Sequence, residues 1–224
     1  MIQVPAGEEK IAGYLAKPAG KGPFPALLLV HEWWGLNDQI KGIADRLAGE
    51  GYLALAVDLY GGRVAADADQ AHMLMAGLSD DNAVKFLQAG FDYLQSQPDV
   101  QKDRIGSIGW CMGGGYSLLL ALNQPKLAAC VMFYGRVVLN QEKMKQLNCP
   151  VLGLFGEKDQ AITPMDAMQF NKMGEVLGKD VEVHEYKDAG HGFFNETGKN
   201  YNAEASKDAW AKTTAFLAKN LKKT

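Results

Sequence analysis

The chain has 224 residues, of which 47% are hydrophobic and 22% are charged, and its formal net charge is −3. This composition is typical of one globular domain with a full core. Because acidic and basic residues are interspersed, the sequence has neither a basic stripe for nucleic acid nor a polybasic membrane anchor. Its apolar runs are also too short to span a bilayer. We therefore expect a single domain over residues 1–224, a monomer or a small homo-oligomer that binds neither nucleic acid nor membrane.

The three cysteines, Cys111, Cys130 and Cys149, are sparse, odd in number and without C-x-x-C spacing. This pattern argues against a disulfide framework and against a zinc site, and it favours reduced thiols in the cytoplasm. The first ten residues lack the apolar region of a signal peptide. We expect a cytoplasmic protein that uses no metal and no cofactor.

Strand and helix patterns alternate along the chain. Residues 10–17 alternate loosely and end at Pro18, which predicts an antiparallel strand at the sheet edge. Apolar or alternating runs predict further strands at 26–31, 52–57, 105–108, 127–133, 151–155 and 181–186. Periodicity and capping residues predict helices at 38–48, 79–95, 116–122, 164–177 and 203–217, with a weakly helical cover at 65–77. The alternation indicates an α/β protein whose mainly parallel sheet, of about seven to eight strands, has helices on both faces.

Residues 104–122 combine a short apolar strand, a sharp turn and an apolar helix, with a cysteine at the apex of the turn. The turn reads G-x-C-x-G, which is the nucleophile-elbow pattern with Cys in place of Ser. Because the chain must approach itself closely there, the positions two before and two after the apex must be small, and they are Gly109 and Gly113. Cys111 then lies at a helix N-terminus, where the helix dipole favours a thiolate.

Polar side chains collect at the predicted carboxyl ends of the strands, where parallel sheets form their sites. The chain order Cys111, Asp159, His191 is the nucleophile, acid, histidine order of an α/β-hydrolase. We therefore expect Cys111 to attack a carbonyl carbon, His191 to act as base and Asp159 to orient His191. The backbone N–H groups of Met112 and Trp33 are the predicted oxyanion donors.

Two further polar residues at strand ends receive simpler predictions. Asp58 is expected to be a structural residue or to cap its own loop. His31 has no partner visible in the sequence and is assigned no role.

Six segments carry a resemblance to a known family: 31–36 (HEWWGL), 58–61 (DLYG), 109–114 (GWCMGG), 133–135 (FYG), 156–159 (GEKD) and 189–193 (AGHGF). Together they resemble the dienelactone hydrolase family of α/β-hydrolases over nearly the whole chain. The resemblance implies an α/β-hydrolase fold and a cysteine-dependent hydrolase that cleaves a lactone or small carboxylic ester. It also implies that Glu32 lies beside Cys111, holds the resting thiol and takes part in its deprotonation when substrate binds.

The chain departs from the family prototype where substrate is bound. The prototype places an arginine four residues after the catalytic histidine, and this chain has Asn195 there. Arg63 is the one arginine in the segment 63–81 that corresponds to the prototype's other carboxylate-binding arginine. The predicted substrate contacts are Trp34, Tyr134, Arg63, Phe193 and Asn195. These departures leave the substrate open between dienelactone itself, a related lactone, a neutral ester and a thioester.

Three alternative functions compete with lactone hydrolysis. The chain could be a general carboxylesterase or thioesterase. A non-catalytic α/β-hydrolase that binds a small ligand would be expected to lack a triad member, and none is missing here. A redox-sensing thiol at Cys111 would need a resolving cysteine nearby, whereas Cys130 is predicted within a buried strand and Cys149 just before one.

Overall fold

The computed structural model describes residues 1–222. Its sheet has eight strands: β1 Ile2–Ala6, β2 Glu9–Ala16, β3 Phe24–Val30, β4 Leu53–Val57, β5 Val100–Trp110, β6 Ala129–Phe133, β7 Val151–Gly156 and β8 Val181–Tyr186. The helices are α1 Asp38–Gly49, α2 Ala68–Ala76, α3 Asp80–Ser96, α4 Met112–Asn123, α5 Gln141–Met144, α6 Pro164–Leu177 and α7 Ala203–Leu221. None of the helices within residues 1–222 combines the length and the apolar character that crossing a membrane requires.

The strands lie in the order β1-β2-β4-β3-β5-β6-β7-β8. All pairs from β4 to β8 are parallel, and β2 is antiparallel to both β1 and β4. The mainly parallel eight-stranded sheet agrees with the predicted fold class. The prediction that residues 10–17 form an edge strand was wrong, because β1 covers that side of β2. The sequence did not predict β1, because this strand is short and contains Pro5. Proline usually argues against a strand, although edge strands tolerate it.

Helices cover both faces of the sheet. Side chains alternate across a strand, so Leu28 and Val30 of β3 pack on the face covered by α3, α4 and α6. Leu27 and Leu29 pack on the opposite face, with α1 and α7. Burial on both faces explains why β3 reads as a continuous apolar run.

Side-chain caps fix where several helices begin. Asn37 Oδ1 accepts from Ile40 N at 3.1 Å at the start of α1, and Ser79 Oγ accepts from Asn82 N at 3.2 Å at the start of α3. Asparagine and serine are among the residues most favoured at the N-cap of a helix. The segment predicted as a weakly helical cover contains α2, which buries a single alanine. The four-residue helix α5 was not predicted, because one turn carries no periodic signal.

Candidate active site

The carboxyl ends of the parallel strands meet along one edge of the sheet, and chemically active side chains follow five of them. Glu32 lies just after β3, Cys111 follows β5, Tyr134 follows β6, Asp159 follows β7 and His191 follows β8. Within residues 1–222, no group of three or more His, Cys, Asp or Glu side chains is arranged to hold a metal ion. The edge therefore brings together side chains that can act as nucleophile, acid and base.

The elbow between β5 and α4 holds Cys111 in an unusual backbone conformation. Its φ is 54° and its ψ is −120°, a region that non-glycine residues rarely occupy. The Cys111 N–H donates to Phe133 O at 3.0 Å. A Cβ on Gly109 would lie 2.9 Å from Gly114 N, and one on Gly113 would lie 2.5 Å from His31 O. Both glycines are thus required by the close approach of backbone to backbone, as the sequence pattern predicted.

Three side chains form a continuous hydrogen-bonded row. His191 Nε2 lies 3.0 Å from Cys111 Sγ, and His191 Nδ1 lies 2.8 Å from Asp159 Oδ2. The other oxygen of Asp159 accepts from Ala161 N at 2.8 Å and Ile162 N at 3.0 Å. Asp159 is thereby fixed at both oxygens. A partly exposed thiol, an imidazole and a buried carboxylate lie in the order that nucleophilic catalysis requires.

The electrostatics of this row make His191 a strong base. Burial lowers the pKa of His191, but its hydrogen bonds to Asp159 and Cys111 outweigh burial and raise the pKa to about 10. Burial raises the pKa of Asp159, but the bond from His191 and the backbone N–H groups outweigh it and leave that pKa below its usual value. Asp159 therefore stays ionised and stabilises an imidazolium at His191.

Glu32 is buried, with 4% of its surface exposed, and it accepts two hydrogen bonds from neutral groups. Tyr134 Oη donates to Glu32 Oε1 at 3.1 Å, and Asn195 Nδ2 donates to Glu32 Oε2 at 2.6 Å. Burial raises the pKa of Glu32, and these two bonds oppose the rise without cancelling it. Among residues 1–222, the thiol of Cys111 bonds to His191 and not to Glu32. The part that Glu32 plays in deprotonating the thiol stays a prediction.

The two predicted oxyanion donors lie in segments that touch. Met112 is the first residue of α4, so its N–H has no partner within the helix. Trp33 N–H likewise donates to no protein group among residues 1–222. The segments meet where Gly113 packs against the carbonyl oxygen of His31. Two unsatisfied amides beside the elbow are what an oxyanion hole needs.

The other three predicted substrate contacts, Trp34, Arg63 and Phe193, differ in how exposed they are. Trp34 is partly exposed and packs edge-on against Trp33, with ring centroids 5.0 Å apart. Arg63 is exposed, and its Nε donates to Tyr60 O at 3.0 Å. Phe193 is fully buried against Tyr134. Phe193 therefore supports the site from beneath, and its contact with substrate stays a prediction.

Tyr134 and Asn195 were predicted as substrate contacts, and their pairing with Glu32 was missed. The pairs are separated by 102 and 163 residues, so no local pattern links them. Asp58 caps its own loop as predicted, since its Oδ1 accepts from Tyr60 N at 2.9 Å. His31, which received no role, is fully buried beside Glu32.

The other two cysteines lie in the core. Cys130 is fully buried and Cys149 is 6% exposed. Burial raises the pKa of the Cys130 thiol to about 11 and that of the Cys149 thiol further. Buried thiols that resist ionisation are poor resolving cysteines, which argues against the redox-sensing alternative.

The model of the dienelactone hydrolase family matches residues 11–221. The chain belongs to this family. A protein of Saccharolobus solfataricus that carries the provisional name carboxymethylenebutenolidase is 33% identical, with 93% of each chain covered. The protein named usf of Aquifex pyrophilus is 31% identical over 99% of this chain and 98% of its own.

Solved structures agree with this membership in the family. A crystal structure provisionally described as a dienelactone hydrolase of Klebsiella pneumoniae has a TM-score of 0.89 and 28% identity, with 96% of each chain covered. A dienelactone hydrolase-like promiscuous phosphotriesterase from metagenomic libraries also has a TM-score of 0.89, with 25% identity over 98% of this chain and 96% of its own. The chain therefore has the α/β-hydrolase fold and is a hydrolase of the dienelactone hydrolase type.

Proposed function

We propose that the protein is a cysteine-dependent hydrolase that cleaves a lactone or small carboxylic ester through a thiol acyl-enzyme. The observation that carries the proposal is the row from Cys111 Sγ through His191 to Asp159, with separations of 3.0 and 2.8 Å. Family membership supports hydrolysis in general, and this row supports the cysteine as its nucleophile. The free state of all three cysteines supports a reducing compartment, so we place this activity in the cytoplasm.

The reaction follows from the geometry of the row. His191 takes the thiol proton, and the Cys111 sulfur attacks the carbonyl carbon of the ester. The carbonyl oxygen becomes an oxyanion and accepts from the N–H groups of Met112 and Trp33. When the tetrahedral intermediate collapses, the carbon–oxygen bond breaks and His191 protonates the leaving alkoxide. In a lactone that hydroxyl stays attached to the acyl group.

Deacylation uses the same groups in reverse. His191 removes a proton from water as the water attacks the thioester, and the sulfur leaves with the proton returned from His191. The products are a carboxylic acid and the free thiol. Because Asp159 keeps its charge throughout, it stabilises the imidazolium in both halves of the reaction.

Glu32 is a proposed assistant to the first proton transfer. Tyr134 donates to Glu32 at 3.1 Å, and its ring centroid lies 5.2 Å from that of His191, the residue that bonds the Cys111 thiol at 3.0 Å. This arrangement supports a Glu32 carboxyl that lies near the thiol. A raised pKa makes Glu32 a better proton acceptor than an ordinary glutamate. In this proposal Glu32 accepts the thiol proton when substrate displaces the resting arrangement around Cys111 and passes it to His191, so that His191 still holds the one proton that the leaving alkoxide receives.

The surroundings of the thiol bear on the substrate's charge. Asn195 is neutral, and its amide is already engaged by Glu32 at 2.6 Å. These features favour a small neutral ester as the second candidate, a general carboxylesterase or thioesterase. Exposed Arg63 is the proposed partner of a substrate carboxylate if the substrate is an anionic lactone.

A substrate panel tests the proposal. Wild-type protein and Cys111→Ala are assayed against matched anionic lactones, neutral lactones, small esters and thioesters. The proposal predicts that the wild type hydrolyses at least one of these and that Cys111→Ala reduces that rate to background. Full activity in the alanine variant would refute the thiol mechanism. The ratio of kcat/KM for anionic and neutral substrates assigns the substrate class.

A further inference from the structure

His31 makes two hydrogen bonds that fix its protonation state. Its Nε2 lies 3.1 Å from Leu59 N, and its Nδ1 lies 2.6 Å from Glu32 O. A backbone N–H only donates, so Nε2 accepts and carries no proton. The carbonyl oxygen of Glu32 only accepts, so Nδ1 carries the proton and donates it. His31 is fully buried, and burial, opposed in part by the bond to Glu32 O, lowers its pKa and keeps it neutral.

The hydrogen bond from His31 Nδ1 to Glu32 O also fixes the direction of the Trp33 N–H. Glu32 C=O and Trp33 N–H belong to the same planar peptide unit, in which they point in opposite directions. Holding the carbonyl on one side therefore holds the Trp33 N–H on the other. Gly35 N–H donates to the same carbonyl at 3.2 Å, so two donors fix the plane from the carbonyl side. The Trp33 N–H is left with no protein acceptor among residues 1–222.

We propose that His31 is a positioning residue that holds the Glu32–Trp33 peptide with its N–H directed at the substrate's developing oxyanion. This inference rests on the proposed acyl transfer at Cys111. His31 would touch neither substrate nor sulfur. It would act through the peptide, by preventing the rotation that would turn the Trp33 N–H away from the site.

A neighbouring tyrosine ties this peptide to the second oxyanion donor. The Tyr60 ring lies against the His31 imidazole, with centroids 4.9 Å apart at an interplanar angle of 59°. The Tyr60 hydroxyl donates to Met112 Sδ at 3.1 Å. Tyr60 thus contacts both His31 and the residue that carries the other donor. His31 itself joins the loop after β3 to Leu59 in the loop after β4.

Two substitutions separate the functions of the two ring nitrogens. In His31→Asn, the amide Nδ2 can stand near the place of Nδ1 and donate to Glu32 O, while the acceptor for Leu59 N–H is lost. In His31→Gln, the amide oxygen can stand near the place of Nε2 and accept from Leu59 N–H, while the donor to Glu32 O is lost. Each variant removes one buried hydrogen bond, so their melting temperatures should be similar.

The proposal predicts different chemistry for the two variants. His31→Gln should lower kcat by about 10- to 100-fold, somewhat less than deletion of an oxyanion donor, with KM nearly unchanged. His31→Asn should retain activity within about threefold of the wild type, because Glu32 O then keeps both of its donors, whereas in His31→Gln only Gly35 N–H is left. Equal activity of the two variants would overturn the proposal.

Two measurements separate this proposal from damage to the site and from failure of the thiol mechanism. Alkylation of Cys111 by iodoacetamide needs a nucleophilic thiol but no oxyanion hole, whereas its acylation by p-nitrophenyl acetate needs both. His31→Gln should slow acylation and leave alkylation at the wild-type rate, and an equal fall in both rates would overturn the positioning role. If Cys111→Ala keeps full esterase activity, the proposed function fails regardless of His31.

Nitrogen-15 NMR of the wild type should find His31 Nδ1 protonated and His31 Nε2 without a proton, and the opposite tautomer would also overturn the inference.

Discussion

The elbow can be tested by adding one carbon atom. In Gly113→Ala, the new Cβ would lie 2.5 Å from His31 O and 2.6 Å from the carbonyl carbon of Val30, where ordinary contacts begin at 3.4 Å. The carbonyl oxygen of Val30 lies closer still. Either the elbow or β3 must therefore move by at least about 0.9 Å, the difference between 3.4 and 2.5 Å. The atoms in the way are backbone atoms at the end of a central strand that is paired on both sides, so they cannot turn aside as a side chain would.

The steric cost outweighs the helical gain. Alanine in a helix is favoured over glycine by about 1 kcal/mol. Overpacking typically costs about 1–3 kcal/mol and occasionally more, and a clash with rigid backbone belongs at or above the upper end, at about 3–4 kcal/mol. The net destabilisation of about 2–3 kcal/mol should lower the Tm by roughly 4 to 12 °C for a chain of this size. A nucleophile displaced by about 1 Å should also lose activity by about 100-fold.

Gly42→Ala is the matched control. Gly42 lies inside α1, and a Cβ there would have nothing within 4 Å. The same substitution should then raise the Tm by roughly 1 to 4 °C, from a gain of about 0.5–1 kcal/mol, and leave activity unchanged. Calorimetry and steady-state ester hydrolysis on both variants provide the comparison. A Gly113→Ala protein with wild-type Tm and wild-type activity would refute the close-packed elbow.

Three other predictions concern the charged groups of the site. Asp159→Asn should lower kcat/KM by about 10²- to 10⁴-fold in steady-state assays, since the amide cannot stabilise an imidazolium at His191; an unchanged rate would remove Asp159 from the mechanism. Glu32→Gln should slow the acylation burst clearly while changing the Tm little, and an unaltered burst would exclude the proton-acceptor role. The pKa of His191, about 10 in the folded protein, lies above the ordinary value of about 6.5. Its stabilising contribution is therefore complete below pH 6.5 and is lost as the pH rises towards 10. The Tm difference between wild type and His191→Ala should shrink over that interval, and a constant difference would contradict the raised pKa.

The sheet could be predicted because its parallel strands are buried on both faces and appear as uninterrupted apolar runs. The elbow could be predicted because steric crowding at a tight turn dictates the spacing of its glycines. The edge strand β1 could not, since a five-residue strand with Pro5 is a weak pattern. It pairs with β2 through backbone bonds that sequence periodicity does not record.

Some features of the candidate site could likewise be predicted from the sequence, and others could not. The order of Cys111, Asp159 and His191 follows from chain topology, and the structure brings these three side chains within hydrogen-bond distance. The partners of Glu32 depend on contacts between distant segments. The two hydrogen bonds of His31 depend on the orientation of a single peptide and a single ring. Hydrophobic periodicity carries no information about either orientation.

Trapping the acyl-enzyme tests the central claim most directly. Wild-type protein is mixed with an activated ester, quenched in acid within the first turnover, digested and examined by mass spectrometry. The thiol mechanism predicts the acyl group on the peptide that contains Cys111, its release by hydroxylamine, and its absence from Cys111→Ala. Turnover with no adduct on Cys111, or an adduct on another residue that forms and decays at the catalytic rate, would contradict it.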